Sequence, residues 1–240
     1  MKPTKKILQN SIQLQINGAG GLLGPVVPVL DKVEFFDFED VDGQVGRLGN
    51  DMYICFHGSN DIRDWVDNIN FKKVPFIWFD FWKNHSKVHW GFLMQYMTVR
   101  KYLLDKLTSY RKDSELENIF ITGHSSGGAL ATLCSADFSN YFINVTPVIF
   151  ASPRVGNGSF VRYFMNAFPE SYRFNYMNDL VGKLPPTIFN YWHVGNCIEL
   201  ANLGEKYKYN LKHIWEAIFG NIKDHDVQNY KKGVDELDWE

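Results

Sequence analysis

Two rhythms of apolar residues divide this chain. Short, nearly continuous apolar runs rich in β-branched and aromatic side chains read as strands at residues 33–38, 51–56, 118–121, 145–150 and 172–176. Between them, apolar residues fall at three- and four-residue steps. Phe92, Tyr96, Val99, Leu103 and Leu107 define one amphipathic helix over residues 91–107. Ala129, Leu130, Leu133 and Cys134 define a second over 126–137, and residues 160–168 a third. A polar, glycine-containing turn around Asp42-Gly43 and Gly46 is expected to join the first two strands. The last third reads less sharply, as a strand-like stretch over 188–200 and a helical one over 211–219. Strands alternating with helices predict an α/β protein, its central, mostly parallel sheet flanked by helices on both faces.

No repeat, low-complexity tract or linker interrupts this order, so residues 1–240 are expected to form a single domain. Hydrophobic residues at 45% and charged residues at 22% are ordinary for a globular protein. A net charge of −2 offers no field for nucleic acid, and no nucleic-acid partner is expected. The stretch 21–30 is apolar but short and broken by Pro25 and Pro28, so no transmembrane segment is expected. Lys2, Lys5 and Lys6 imitate the start of a leader, but residues 7–15 are too polar to continue one. The expected location is cytoplasmic, with secretion left open. Cys55, Cys134 and Cys197 are odd in number and sit in apolar contexts, which predicts buried free thiols rather than disulfides or a metal site.

Chemistry enters at Gly123-His124-Ser125-Ser126-Gly127, where the strand at 118–121 meets the helix at 126–137. Glycines two residues before and after a serine form the G-x-S-x-G nucleophile elbow, a turn too tight for side chains at its flanks. The serine is left at the strand end, and the helix start behind it aims N–H groups at incoming negative charge. An ordinary strand–helix turn with a polar tip is the competing explanation. An elbow serine also needs a base, and the base needs a carboxylate to orient it, in the order Ser, Asp or Glu, His. Asp179 directly follows an apolar strand, although an Asn-Asp pair also suits a plain turn.

Four histidines compete as the base. His124 adjoins the serine and is expected to point elsewhere; His193, in an aromatic run, and His213, on an apolar stretch, suit structural roles. His225, in the polar segment Lys223-Asp224-His225-Asp226, fits best. The oxyanion would be held by the N–H of Ser126 and by a donor from the loop after the strand at 51–56, where Ser59 is suitably placed. A short helix with Ile62 and Trp65 follows. It leads into a dense aromatic run with Phe76 and Trp78 that is either a core strand or an apolar wall receiving an acyl chain.

Taken together these pieces resemble the fungal-type (class 3) triacylglycerol lipase family of α/β-hydrolases, from about residue 33 to residue 230. Phe56-His57-Gly58-Ser59 with Ile62-Arg63-Asp64-Trp65 is similar to the family's oxyanion loop and lid helix. Lys87-Val88-His89-Trp90-Gly91-Phe92 is similar to its stretch before a long helix, and Ser152-Pro153-Arg154-Val155-Gly156-Asn157 to its Pro-Arg-Val-Gly turn. Asn178-Asp179-Leu180-Val181 with Leu184-Pro185-Pro186 is similar to the segment carrying its acid.

The resemblance implies an α/β-hydrolase fold with a short lid helix over about 60–67. It implies Ser125 as nucleophile, Asp179 as acid and His225 as base, with Ser59 and Ser126 as oxyanion donors. His193 falls at the family's non-catalytic histidine. Ser126 replaces a usual leucine and His57 a usual arginine, and neither change removes a backbone donor. The family's longer amino-terminal region and its disulfides are missing. The expected activity is serine carboxylic-ester hydrolysis of acyl or lipid esters through an acyl-enzyme, without metal or organic cofactor, with transient contact at a lipid–water interface. The same triad would serve a phospholipase, a feruloyl-type esterase or a thioesterase. A lipase-like module that binds without turnover is the non-enzymatic alternative.

Overall fold

The strand Val145–Phe150 is buried at every position, which requires cover on both faces and marks the middle of a sheet. In the computed structural model, which describes residues 1–18, 29–58, 70–76, 85–113, 116–142, 144–201 and 222–239, it lies inside a seven-stranded sheet. We number the described elements in chain order. The strands are β1 (Lys32–Phe38), β2 (Val41–Leu48), β3 (Asp51–Phe56), β4 (Lys73–Pro75), β5 (Lys87–His89), β6 (Asn118–His124), β7 (Val145–Phe150), β8 (Tyr172–Asn175) and β9 (Asn196–Glu199). The helices are α1 (Lys5–Gly18), α2 (Trp90–Asp113), α3 (Ser126–Phe138), α4 (Gly158–Ala167) and α5 (Val227–Glu236).

The sheet order is β1-β2-β3-β6-β7-β8-β9, while β4 and β5 form a separate ribbon. From β3 to β9 every pairing is parallel; β1, β2 and β3 pair antiparallel. The predicted α/β architecture is therefore present, and the periodic stretches form helices at the expected places. Phe92, Tyr96, Val99, Leu103 and Leu107 of α2 are all buried against the sheet. Each such side chain contributes roughly 1.5–3 kcal/mol of hydrophobic stabilisation.

Two expectations are corrected, and one helix appears that the sequence reading did not call. The segment around Gly43 and Gly46 is not a turn but lies in strand β2, and the chain reverses instead at Glu39-Asp40 and Gly49-Asn50, where Glu39 and Gly49 take positive φ of 56° and 60°. The glycines serve close packing. A Cβ at Gly43 would stand 2.2 Å from the Cys55 carbonyl oxygen, and one at Gly46 would stand 2.1 Å from that of Lys32. Residues 5–18, considered in sequence only as a failed leader, form α1. Its Leu8 and Ile12, one turn apart, join Phe150, Phe174, Tyr230 and Val234 in a second core on the other face of the sheet. Cys197 is exposed because it sits on the edge strand β9, whereas Cys55 and Cys134 are buried free thiols as expected. The predicted helix at 211–219 lies outside the described residues.

Candidate active site

Strand β6 ends in the sheet's centre at His124, and α3 begins two residues later. Ser125 carries the reversal alone, at φ 61° and ψ −132°, a conformation that strains a residue with a Cβ. Its own N–H donates to the Phe150 carbonyl at 3.2 Å, and its carbonyl accepts from the Gly128 N–H at 2.9 Å. The flanking glycines are steric requirements. A Cβ at Gly123 would stand 2.0 Å from the Gly127 carbonyl oxygen, and one at Gly127 would stand 2.3 Å from that of Phe56. Ser126 opens α3 and is buried. The Ser125 side chain is buried as well, and its Oγ has no hydrogen-bond partner among the described residues.

Asp179 lies just past the end of β8, on the same edge of the sheet as Ser125. Its N–H donates to Tyr176 O at 3.2 Å, and its Oδ1 accepts from the Val181 N–H at 2.8 Å, so the carboxylate is held at both ends of a tight turn. Its Oδ2 accepts from His225 Nδ1 at 2.7 Å and from the Tyr230 hydroxyl at 2.7 Å. Arg154 of the Pro-Arg-Val-Gly turn anchors the chain beyond. Its N–H donates to Leu184 O at 2.7 Å and its guanidinium to the carbonyls of Lys183 and Pro185. The turn after β7 thereby fixes the segment that follows Asp179.

His225 ends a single 3-10 turn, Ile222–His225, immediately before α5, whose start is capped by the Asp226 carboxylate on the Gln228 N–H at 2.9 Å. With Nδ1–H given to Asp179, its Nε2 is the free valence of the ring, and it too is buried without a partner among the described residues. Two orphaned polar atoms, Ser125 Oγ and His225 Nε2, are the atoms between which a proton must pass in a Ser-His-Asp triad.

His124 does not point away, as the sequence led us to expect. Its ring lies 4.6 Å from that of His225 and edge-on to Tyr230 at 5.2 Å. Burial, and the neighbouring His225, hold its pKa well below the usual histidine value, so it stays neutral and adds no competing charge. Burial pushes the Tyr230 hydroxyl well up, as does the adjacent Asp179 carboxylate, which keeps that hydroxyl a donor. Neither role had a sequence signal, because both depend on α5 packing across the end of the sheet. His193 occupies a structural place. Its Nε2 donates to the Gly182 carbonyl at 2.6 Å, and burial, with nearby Arg173, lowers its pKa to about 3.

The loop leaving β3 meets the elbow directly. A Cβ added at Gly58 would come within 3.0 Å of Ser125 Cβ, so this backbone lies against the elbow serine. His57 is fixed from beneath. Its N–H donates to Asp42 O at 3.1 Å and its Nδ1–H to Asp42 Oδ2 at 2.9 Å, which lowers the Asp42 pKa. Its Nε2 faces Gln44 Nε2 at 3.2 Å, and that amide also donates to Leu14 O. Phe76 is buried edge-on against Phe160 in the main core rather than lining an open wall. Ser59, Ile62, Trp65, Trp78 and His213 lie outside the described residues. Among the described residues no cluster of His, Cys, Asp or Glu is arranged to hold a metal ion, and no helix is long and apolar enough to cross a membrane.

A family model described as Lipase (class 3) matches residues 53–189. A protein named Lipase from Rhizomucor miehei is 31% identical over 167 residues, covering 65% of this chain and 44% of that protein. Secreted mono- and diacylglycerol lipase 1 from Fusarium solani is 28% identical over 145 residues, covering 60% of this chain and 42% of that protein. The chain thus spans less than half the length of these two relatives. Among solved structures, a Rhizomucor miehei triacylglyceride lipase matches with a TM-score of 0.74 at 22% identity, covering 91% of each chain. Lipase II from Rhizopus niveus matches with a TM-score of 0.74 at 21% identity, covering 92% of each. These likenesses establish the α/β-hydrolase fold.

Proposed function

Since the chain belongs to the class 3 lipase family, we propose that it is a serine hydrolase that cleaves carboxylic acyl esters of lipids. The observation that carries this reading is the Asp179–His225 pair at 2.7 Å, ending in an unpartnered Nε2, beside an elbow serine held at positive φ with an unpartnered Oγ. A solved triacylglycerol lipase of the same fold is described as having a serine protease triad as its catalytic centre, which supports the same assignment here.

In this mechanism Ser125 Oγ attacks the ester carbonyl carbon while its proton passes to His225 Nε2. Asp179 keeps the imidazole in the Nδ1–H tautomer and stabilises the imidazolium. The oxyanion is stabilised by the N–H groups of Ser126, at the start of α3, and of Ser59, the residue after Gly58. His225 then protonates the departing alcohol, leaving an acyl-Ser125 ester. Water attacks this ester with His225 again as base. Every step uses protein groups and water, and none calls for a metal or organic cofactor.

Ile62, Trp65 and Trp78 are the proposed contacts for the acyl chain beneath a lid over about 60–67. The whole chain is taken as one domain, supported by α1 packing on α5 on one face of the sheet, which joins the two ends of the chain. The names of secreted relatives from Fusarium solani and Penicillium cyclopium favour secretion, and lend no support to the cytoplasmic location first expected.

Hydrolysis of p-nitrophenyl esters from acetate to palmitate by the wild type and by Ser125→Ala tests the reading. Activity abolished by the substitution is the expected result, and the preferred chain length separates lipase from short-chain esterase. Equal activity in both proteins, or none on any ester, would overturn it.

A further inference from the structure

Charge is unevenly placed on this molecule. The described segments 70–76, 85–91, 152–168 and 183–196 contain Lys72, Lys73, Lys87, Arg154, Arg162 and Lys183 and no aspartate or glutamate, although the whole chain carries a net −2. These segments meet in space. The Trp90 N–H donates to Lys72 O at 2.8 Å, the Asn157 N–H to Lys87 O at 2.9 Å, and the Trp192 N–H to Gly156 O at 2.9 Å. The side chain of Asn157 binds the same ribbon, accepting from the Lys87 N–H and donating to His85 O.

Apolar side chains stand outward from this basic ground. Ile188 is 85% exposed, Trp192 48% and Phe189 47%. Phe189 stacks on Phe71 with ring centroids 4.8 Å apart. Lys73 lies over the Tyr191 ring at 4.2 Å and donates to the Phe189 carbonyl, while Lys72 lies over Trp90 at 5.1 Å. On α2 the exposed Trp90 is followed at i+4 and i+7 by exposed Met94 and Met97, extending the apolar stripe along one face. Exposed aliphatic and aromatic tips within a collar of cations match the chemistry of a bilayer surface bearing anionic headgroups. The tips enter the acyl boundary, and the ammonium groups remain at headgroup level.

The position also fits. Helix α2 starts at Trp90 and returns to the beginning of β6, and α4 starts after β7 ends, so both starts lie at the carboxyl ends of the parallel strands. Ser125 and Asp179 follow the same strand ends. A surface held there would face the catalytic edge.

We propose that the face formed by Ile188, Phe189, Trp192 and Trp90 with Lys72, Lys73 and Lys87 docks the protein on lipid surfaces rich in anionic phospholipid. The proposal extends the lipase reading but does not need turnover. It is tested with Ser125→Ala protein, so that bound lipid stays intact, by co-sedimentation with vesicles of phosphatidylcholine alone or mixed with phosphatidylglycerol.

Binding to the mixed vesicles that weakens with added salt is expected. Lys72→Glu with Lys87→Glu should lower the partition coefficient by at least about fivefold per charge. Ile188→Ser should lower it about tenfold. Unchanged circular dichroism and Tm would show that these exposed substitutions leave the fold intact. Equal binding to both vesicle types, or binding untouched by these substitutions, would overturn the proposal. So would self-association through this face in place of vesicle binding, read by sedimentation velocity. Ester hydrolysis by the wild type is read separately, so failure of the docking surface and failure of the lipase reading are distinguishable.

Discussion

Asp179 Oδ2 accepts two hydrogen bonds at once, one from His225 Nδ1 and one from the Tyr230 hydroxyl, both at 2.7 Å. Tyr230 is fully buried, and its oxygen also accepts from the Tyr176 N–H at 3.1 Å, so the phenol bridges the acid, the end of β8 and α5. Tyr230→Phe keeps the ring and removes only this donor. A hydrogen bond to a charged group contributes about 1.5–3 kcal/mol, so a fall of about tenfold or more in kcat on a soluble ester is expected, with KM little changed. Asp179→Asn should cost far more, about ten-thousandfold, because it disturbs the His225 tautomer itself. An unchanged kcat in Tyr230→Phe would show that the phenol does not act through Asp179.

Gly127 of the elbow and its neighbour Gly128 are not equivalent. A Cβ at Gly127 would stand 2.3 Å from Phe56 O and 2.6 Å from His57 O, both backbone atoms that cannot swing aside. At Gly128 the nearest atoms are Ser152 Cβ at 2.9 Å and Phe150 O at 3.0 Å, a milder overlap. Alanine would gain up to about 1 kcal/mol of helix propensity at either place. Gly128→Ala should therefore lower unfolding free energy by about 1–2 kcal/mol and retain activity. Gly127→Ala should lose more than about 3 kcal/mol, or fail to accumulate as folded protein, because it wedges β3 away from the elbow. Denaturant unfolding of the two purified variants decides the order.

The carboxyl end of α1 presses on His57, next to Gly58. A Cβ at Gly18 would fall 2.0 Å from His57 Nε2, inside the ring's own volume. Gly18→Ala is expected to destabilise by about 1–3 kcal/mol despite the better helix former, and to shift Gly58 off Ser125 with a loss of kcat. His57→Ala alone should also weaken the protein, since it deletes the bonds to Asp42 and Gln44. In the double variant the clash is gone. The two effects should then sum to less than their separate values by at least about 1 kcal/mol, and strict additivity would show that the contact is not real.

How far the sequence carried can be judged at particular residues. The parallel strands and the elbow were legible because their signals are local, in apolar runs, three- and four-residue steps and glycines around a serine. Ser125 needed only its neighbours, and Asp179 only its place after a strand. His225 was favoured by its polar context but was joined to Asp179 only by tertiary structure. Strand β2 was misread because Gly43 and Gly46 signal a turn locally, yet here they admit the close approach of Cys55 and Lys32. Helix α1 was missed because glutamine and asparagine interrupt its apolar face, and burial of Asn10, Ser11 and Gln15 shows only after packing. Tyr230 and His124 had no local pattern to offer.

His193 gives the chain an acid sensitivity whose sign can be worked out. Its folded pKa is about 3, against the ordinary histidine value of 6.5, because desolvation of the ring, with Arg173 nearby, disfavours its charged form. Between these values the unfolded chain binds a proton that the native protein does not, so stability rises with pH across that window and falls as the solution is acidified. At pH 5, about 1.5 units below the unfolded value, the cost reaches about 2 kcal/mol relative to neutral pH. His193→Gln keeps a donor for the Gly182 carbonyl but cannot titrate. The variant should therefore lose about 2 kcal/mol less than the wild type between pH 7 and pH 5 in urea unfolding. His89, lowered to about 4 by burial, and His124 act in the same direction and remain in both proteins, so the difference isolates His193. Parallel stability curves for the two proteins would show that His193 takes up its proton equally in the folded state.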